Sequence, residues 1–207
     1  MPELQLAPTI RTPRPDEVPQ NQNMLDKIKL RQTANIVEGF TLLNNSSHEQ
    51  PFKFYSEINI DNSKLWDLFK AFLVQFPDEI SFIFNHIDAE TATFSPYKDK
   101  FEILNVISPY ELELTQDGFL EFGIMFHATD YFEEIFIKKS KYLRYWGTHL
   151  GKFKEIMDSF SLTQIDDLNF IDEFPLVTES LQKHNSDTIS TDNLLRYFID
   201  TLALPEN

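Results

Sequence analysis

The part of the chain that decides the fold begins at Glu111 and reads ELELTQDGFLEFGIMF to Phe126. Polar and apolar residues alternate over residues 111–115 and again over residues 120–126. Such alternation is typical of a strand with one buried face, and an Asp-Gly pair between two such runs is typical of a hairpin turn. The sequence therefore predicts two antiparallel strands joined at Asp117.

The alternation continues towards the C-terminus. Residues 132–138 predict a third strand, and residues 142–146 predict a fourth. Over residues 148–161 the apolar side chains recur at helical spacing instead. We therefore expect an antiparallel meander that is closed by a helix.

Further elements precede this meander. Residues 52–60 alternate cleanly and predict a strand, residues 65–76 carry an apolar stripe at helical spacing, and another strand starts at Ile80. Strands grouped in one run, with helices before and after, favour an α+β fold over an α/β fold. We expect a mostly antiparallel sheet of about five or six strands with helices packed on one face.

The two ends of the chain differ from its middle. Residues 1–22 are rich in proline, which removes backbone donors, and they predict a disordered or extended tail. Residues 23–162 contain the predicted α+β domain. Residues 163–207 have a looser pattern with short helical segments, so we expect a helical C-terminal extension that packs on the same domain.

The composition excludes several kinds of site. Glycine is scarce, at 5 residues, so a phosphate-binding loop is not expected. The chain contains no cysteine, which excludes disulfides, thiolate metal sites and cysteine nucleophiles. No signal peptide and no membrane-spanning apolar run is recognisable, so the expected location is the cytoplasm.

The net charge of −15 is unevenly distributed. Residues 76–135 carry 13 acidic residues against two lysines, Lys98 and Lys100. Direct binding of nucleic acid is not expected, because it needs a positively charged surface. The acidic excess suits either a solvated surface or a surface that docks a basic protein.

The acidic residues of the predicted meander form the larger part of a candidate partner-binding site. On a strand over residues 111–115, Glu111 and Glu113 would share one face, and Glu121 would lie across the hairpin from them. Aromatic residues beside Lys141 and Arg144 add a second patch, although some of these rings suit the core equally well. The complete candidate set is Glu111, Glu113, Asp117, Glu121, Asp130, Glu133, Glu134, Tyr142 and Trp146.

Two short clusters contain the residue types of a metal site, where a bound cation would activate a water molecule for hydrolysis. The first consists of His86, Asp88 and Glu90. The second consists of His127, Asp130, Glu133 and Glu134. Solvated loops explain both patterns as well, so no metal, no other cofactor and no catalytic residue is assigned.

The region 52–162 combines a strand over residues 131–137, a tryptophan-ending segment over residues 141–146, and a helix that carries Phe153, Ile156, Met157 and Phe160. In this pattern it resembles a family of small bacterial proteins that are found beside polymorphic toxins and act as immunity proteins. The resemblance implies an inhibitor that binds one toxin domain, often through an acidic surface. It transfers no catalytic residue, and both ends of the chain lie outside it.

The leading hypothesis is therefore a cytoplasmic protein-binding module, an immunity-type inhibitor that docks an acidic surface on a basic toxin or nuclease. Neither nucleic acid nor a membrane is an expected partner. Two alternatives stay open, namely a metal-assisted hydrolase that uses the His and carboxylate clusters, and a structural or assembly subunit that forms a homodimer.

Overall fold

The computed structural model describes residues 3–19, 21–47 and 49–203. The strands are β1 (Ile10–Arg11), β2 (Gly39–Phe40), β3 (Leu43–Asn44), β4 (Phe54–Asn59), β5 (Glu79–His86), β6 (Thr93–Phe94), β7 (Lys98–Asp99), β8 (Leu120–Ala128), β9 (Tyr131–Ile137), β10 (Leu143–Gly147) and β11 (Val177–Thr178). The helices are α1 (Gln22–Arg31), α2 (Leu65–Gln75), α3 (Lys100–Ile107), α4 (Glu111–Gln116), α5 (Leu150–Ser159) and α6 (Thr191–Phe198).

A nine-stranded antiparallel sheet is the centre of the molecule, in the order β2-β4-β10-β9-β8-β5-β6. β3 also pairs with β4, and β7 also pairs with β5. The predicted α+β class is confirmed, but the predicted number of strands is too small. The difference lies in β2, β3, β6 and β7, which contain two residues each and are too short to show a period-two pattern.

The meander β8-β9-β10 is confirmed, and α5 closes it as expected. The predicted hairpin at Asp117 is wrong, because Glu111–Gln116 forms α4. Glu and Leu are strong helix formers, and the short 3₁₀ turn Ser108–Tyr110 carries the helical path on from α3. The hairpin turn lies instead at Thr129 and Asp130, between β8 and β9.

Phenylalanine rings build the core on one face of the sheet. Phe69 of α2 lies 5.2 Å from Phe122 of β8, between ring centroids. The ring centroids of Phe153 in α5 and Phe54 in β4 also lie 5.2 Å apart. Each such ring contributes roughly 1.5–3 kcal/mol on burial, so α2 and α5 are held firmly against this face.

Both ends of the described chain pack against the rest of the molecule, and β1 and β11 form a separate two-stranded sheet. Leu4, Ala7 and Ile10 are buried, and β1 pairs with β11. The expected tail is therefore extended but ordered where it is described, while residues 1, 2 and 20 lie outside the described residues. At the other end, Phe198 of α6 is fully buried in the main core.

Within the described ranges, no helix is both long enough and apolar enough to cross a bilayer.

Candidate functional site

The face of the sheet opposite the phenylalanine core carries partly exposed aromatic residues. In the strand register, Tyr55 pairs with Trp146, Trp146 with Glu134, and Glu134 with Met125. These four residues form one row across β4, β10, β9 and β8. We use the name open face for a set of partly exposed side chains on this side of the sheet. They are Tyr55, Glu57, Met125, Phe132, Glu134, Phe136, Arg144 and Trp146.

The sequence of β9 explains why this face is aromatic. Ile135 and Ile137 point into the core and are fully buried. Phe132, Glu134 and Phe136 alternate with them and therefore point the other way. Since β9 is the middle strand of the five long ones, its outer side chains occupy the centre of the open face.

Arg144 on the open face and Lys138 at its edge already have partners. Arg144 lies 3.2 Å from a carboxylate oxygen of Glu57 through Nε and donates a hydrogen bond of 2.8 Å to the hydroxyl of Tyr142. Lys138 lies 2.8 Å from a carboxylate oxygen of Glu121, with its Nζ also 5.4 Å from the centroid of Phe136. Neither cation is therefore free to neutralise another carboxylate of this face.

Glu134 is the unpaired carboxylate of the open face. Across the described ranges, no hydrogen bond or ion pair reaches its side chain. Burial among its neighbours raises the pKa of Glu134 to about 6. A carboxylate that is partly desolvated without a partner lowers the stability of the fold, which is common at sites that bind a ligand.

A pocket of about 320 Å³ lies where the open face meets the loop before β4. Its walls are Gln50, Pro51, Phe52, His127, Phe132, Glu134 and Trp146. We call it the ring pocket, because four of these side chains carry aromatic rings. Glu134 and Trp146 thus belong to both the open face and the ring pocket.

The acidic residues predicted to bind a partner do not form one surface. Glu111 and Asp130 are exposed, and Glu134 is partly exposed. The other four, Glu113, Asp117, Glu121 and Glu133, are buried. Glu111 and Glu113 lie on α4 instead of the predicted strand, so they are not aligned with the carboxylates of the meander.

Glu113 and Asp117 hold the C-terminal segment in place. The backbone N–H of Ile189 donates to the Glu113 carboxylate at 3.2 Å. The Thr191 hydroxyl donates to Asp117 at 2.6 Å, at the start of α6. These two carboxylates therefore connect α4 and the following turn to the last helix.

Glu121 lies beside the fully buried Lys141. Burial acts to raise the pKa of Glu121, but Lys138 and the backbone N–H of Lys139 outweigh it, and the pKa is lowered. Lys141 Nζ donates to the carbonyl oxygens of Leu114 and Leu120 at 3.0 and 2.7 Å. Burial lowers the pKa of Lys141 to about 7, against the opposing effect of the nearby carboxylates.

Glu133 and Tyr142 are also inside the molecule. Glu133 points towards the core, where burial raises its pKa although the hydroxyls of Tyr131 and Tyr145 oppose the shift. Tyr142 is 3% exposed, and the ring of Phe170 lies 4.8 Å from it. Of the candidate set, only Glu134 and Trp146 therefore meet on the open face.

The two proposed metal clusters do not converge. Within the described ranges, no group of three His, Asp or Glu side chains is arranged to hold a metal ion. His86 Nδ1 lies 3.6 Å from Asp88, while Glu90 is exposed beside them. In the second cluster, Glu133 and Glu134 point to opposite faces of the sheet.

Sequence reasoning missed Tyr55, Phe132 and Phe136 as candidates for binding. The signal was present in YFEEIFI, residues 131–137, because apolar residues occupy both faces of that strand. A strand with two apolar faces needs cover on both, and here helices cover one. Comparisons of the chain with protein-family models, with curated proteins and with solved structures found no match.

Proposed function

We propose that this chain is a protein-binding module of the immunity-inhibitor type, which docks the open face of its sheet on a basic protein. The observation that carries the proposal is the combination of partly exposed rings with the unpaired carboxylate of Glu134. Aromatic residues supply most of the binding energy at protein interfaces, and Trp146 is the largest of them here. The partner surface would complete the cover that the second face of β9 lacks.

Charge supports a basic partner rather than an acidic one. The chain has a net charge of −15, which attracts cationic proteins over a distance. On the open face, Arg144 is paired with Glu57, whereas Glu134 has no cation among the described residues. A cationic group from a partner would therefore gain a charge-assisted contact there.

A toxin or nuclease is the kind of partner that we propose, because such domains are often basic and the region 52–162 resembles immunity proteins. The proposed location is the cytoplasm, since a chain without cysteine suits a reducing compartment. Inhibition would follow from covering the partner's surface, and no residue of this chain needs to act as a catalyst.

The test is affinity capture from the native host with residues 1–207 as bait, followed by calorimetry with the purified partner. The open-face variants are Trp146→Ala and Glu134→Lys. The matched controls are Phe101→Ala, an exposed ring on α3, and Glu155→Lys, an exposed carboxylate on α5. We expect one basic partner, bound equally by the controls and about thirtyfold more weakly by Trp146→Ala.

Equal affinity of the wild type, the two open-face variants and the two controls would show that the open face does not dock the partner. The proposal would then be wrong. A bait that binds only its own copies, with the dimer lost in Trp146→Ala by light scattering, would instead identify an assembly subunit.

A further inference from the structure

The ring pocket has the chemistry of a site for an organic cation. The ring centroids of Phe52 and Phe132 lie 6.3 Å apart, and those of His127 and Phe132 lie 5.8 Å apart. Trp146 is directly opposite Glu134 in the register of β10 and β9. Aromatic faces attract cations through their quadrupole, and an adjacent carboxylate adds a full opposite charge.

The charged groups around the Glu134 carboxylate leave it without a cationic partner. On β10, Arg144 is held by Glu57 and by the Tyr142 hydroxyl. On β8, the backbone N–H of His127 donates to the Tyr97 hydroxyl at 3.0 Å, and its ring packs against Phe132. Within the described ranges, no lysine or arginine side chain lines the pocket.

Resting on the proposed function, we infer that the ring pocket binds an arginine side chain of the basic partner. A volume of about 320 Å³ is at the low end for a small-molecule site and suits a single side chain. The planar guanidinium stacks on an aromatic face while it donates two hydrogen bonds to a carboxylate. It is also less strongly hydrated than an ammonium group, so it enters a half-buried pocket at a smaller cost.

The experiment uses the full chain, labelled with ¹⁵N, and follows the two indole N–H signals. Trp146 lines the ring pocket, while Trp66 is 5% exposed in the core and serves as the internal reference. The probe is N-acetylarginine amide, and the neutral isostere N-acetylcitrulline amide is the control ligand. We expect a saturable shift of Trp146 alone, with a dissociation constant of about 1–10 mM for the arginine probe.

The citrulline probe should bind about tenfold more weakly, and Glu134→Gln should reduce the arginine affinity by a similar factor. Equal shifts with both probes, or no shift up to about 50 mM, would overturn the inference. Tighter binding of tetramethylammonium than of the arginine probe would also overturn it, because the ligand would then be an ammonium group.

Failure of this inference differs from failure of the proposed function. If partner capture is lost in Trp146→Ala while the arginine probe leaves the Trp146 signal unchanged, the open face docks its partner through apolar contacts, and only the arginine site is wrong. If capture survives in every variant, the proposed docking surface itself is wrong, whatever the probe does.

Discussion

Among single residues, Glu134 shows best how a binding site lowers the stability of its own fold. Its carboxylate is partly buried beside Trp146 and Met125, with His127 and the paired Arg144 on the neighbouring strands. A glutamine at this position would have nearly the same shape without the charge. We therefore expect Glu134→Gln to weaken binding and to raise the stability of the fold.

The pH dependence of Glu134→Gln follows from the raised pKa, about 6 against an ordinary value of 4.5. The folded state binds the carboxyl proton of Glu134 more tightly than the unfolded state does. The stability that this proton adds to the fold is present below pH 4.5 and is lost as the pH rises through 6. At about pH 7.5, Glu134→Gln should be more stable than the wild type by about 1 kcal/mol, and at about pH 4 the two should be equal.

Urea denaturation at both pH values measures this difference. The control is Glu111→Gln at an exposed position of α4, which should change the free energy of unfolding by less than about 0.5 kcal/mol at either pH. A Glu134→Gln variant that is less stable than the wild type at neutral pH would mean that the carboxylate has a partner.

Lys141 has the opposite role, because its buried amino group makes hydrogen bonds inside the molecule. It donates to the carbonyl oxygens of Leu114 and Leu120 and faces the carboxylates of Asp117 and Glu121. Lys141→Met would leave these acceptors without a donor, so we expect a loss of about 3 kcal/mol in thermal or chemical unfolding. Lys139→Met, at an exposed neighbouring position, should cost less than about 0.5 kcal/mol, and equal losses would contradict this role.

At the level of secondary-structure elements, long periodic segments were predictable and α4 was not. The six residues ELELTQ alternate as a strand does, and their intrinsic propensity also suits a helix. Contacts with the rest of the molecule decide which of the two structures forms. Leu112 is 38% exposed while Leu114 is fully buried, so the alternating leucines do not share one environment. The predicted alignment of Glu111 and Glu113 with Glu121 was wrong for the same reason, because it depended on that strand.

The close contact of β8 and β9 gives a prediction at the same level. A Cβ atom added at Gly123 would lie 2.2 Å from the carbonyl oxygen of Ile135, in the middle of the open face. Gly123→Ala should therefore destabilise the protein by about 1–3 kcal/mol, since neither strand can move without breaking its pairing. Gly151→Ala in α5 meets no atom within 4 Å, and it should instead stabilise the protein by about 0.5 kcal/mol.

Differential scanning calorimetry on the two glycine variants measures both effects in one series. A neutral Gly123→Ala would show that β8 and β9 have room to separate. The open face would then be less rigid than the register of these strands implies.

For the whole molecule, the C-terminal segment belongs to the core rather than to a separate unit. The Phe198 ring lies 5.4 Å from that of Phe82 and 5.6 Å from that of Phe84, both on β5. Asp117 and Glu113 fasten the same segment through Thr191 and Ile189. The looser sequence pattern after residue 162 hides these contacts, because their partners lie far away along the chain.

We expect Phe198→Ala to destabilise the entire protein by about 3–5 kcal/mol, through the lost burial and the cavity left against β5. Its exposed neighbour provides the control, since Ile199→Ala should cost less than about 1 kcal/mol. Unfolding followed by far-ultraviolet circular dichroism and by tryptophan fluorescence should give the same lowered midpoint, because Trp66 of α2 reports the core. If the fluorescence midpoint stayed at the wild-type value while helical signal was lost earlier, α6 would unfold separately, and its contacts with β5 would not contribute to the stability of the sheet.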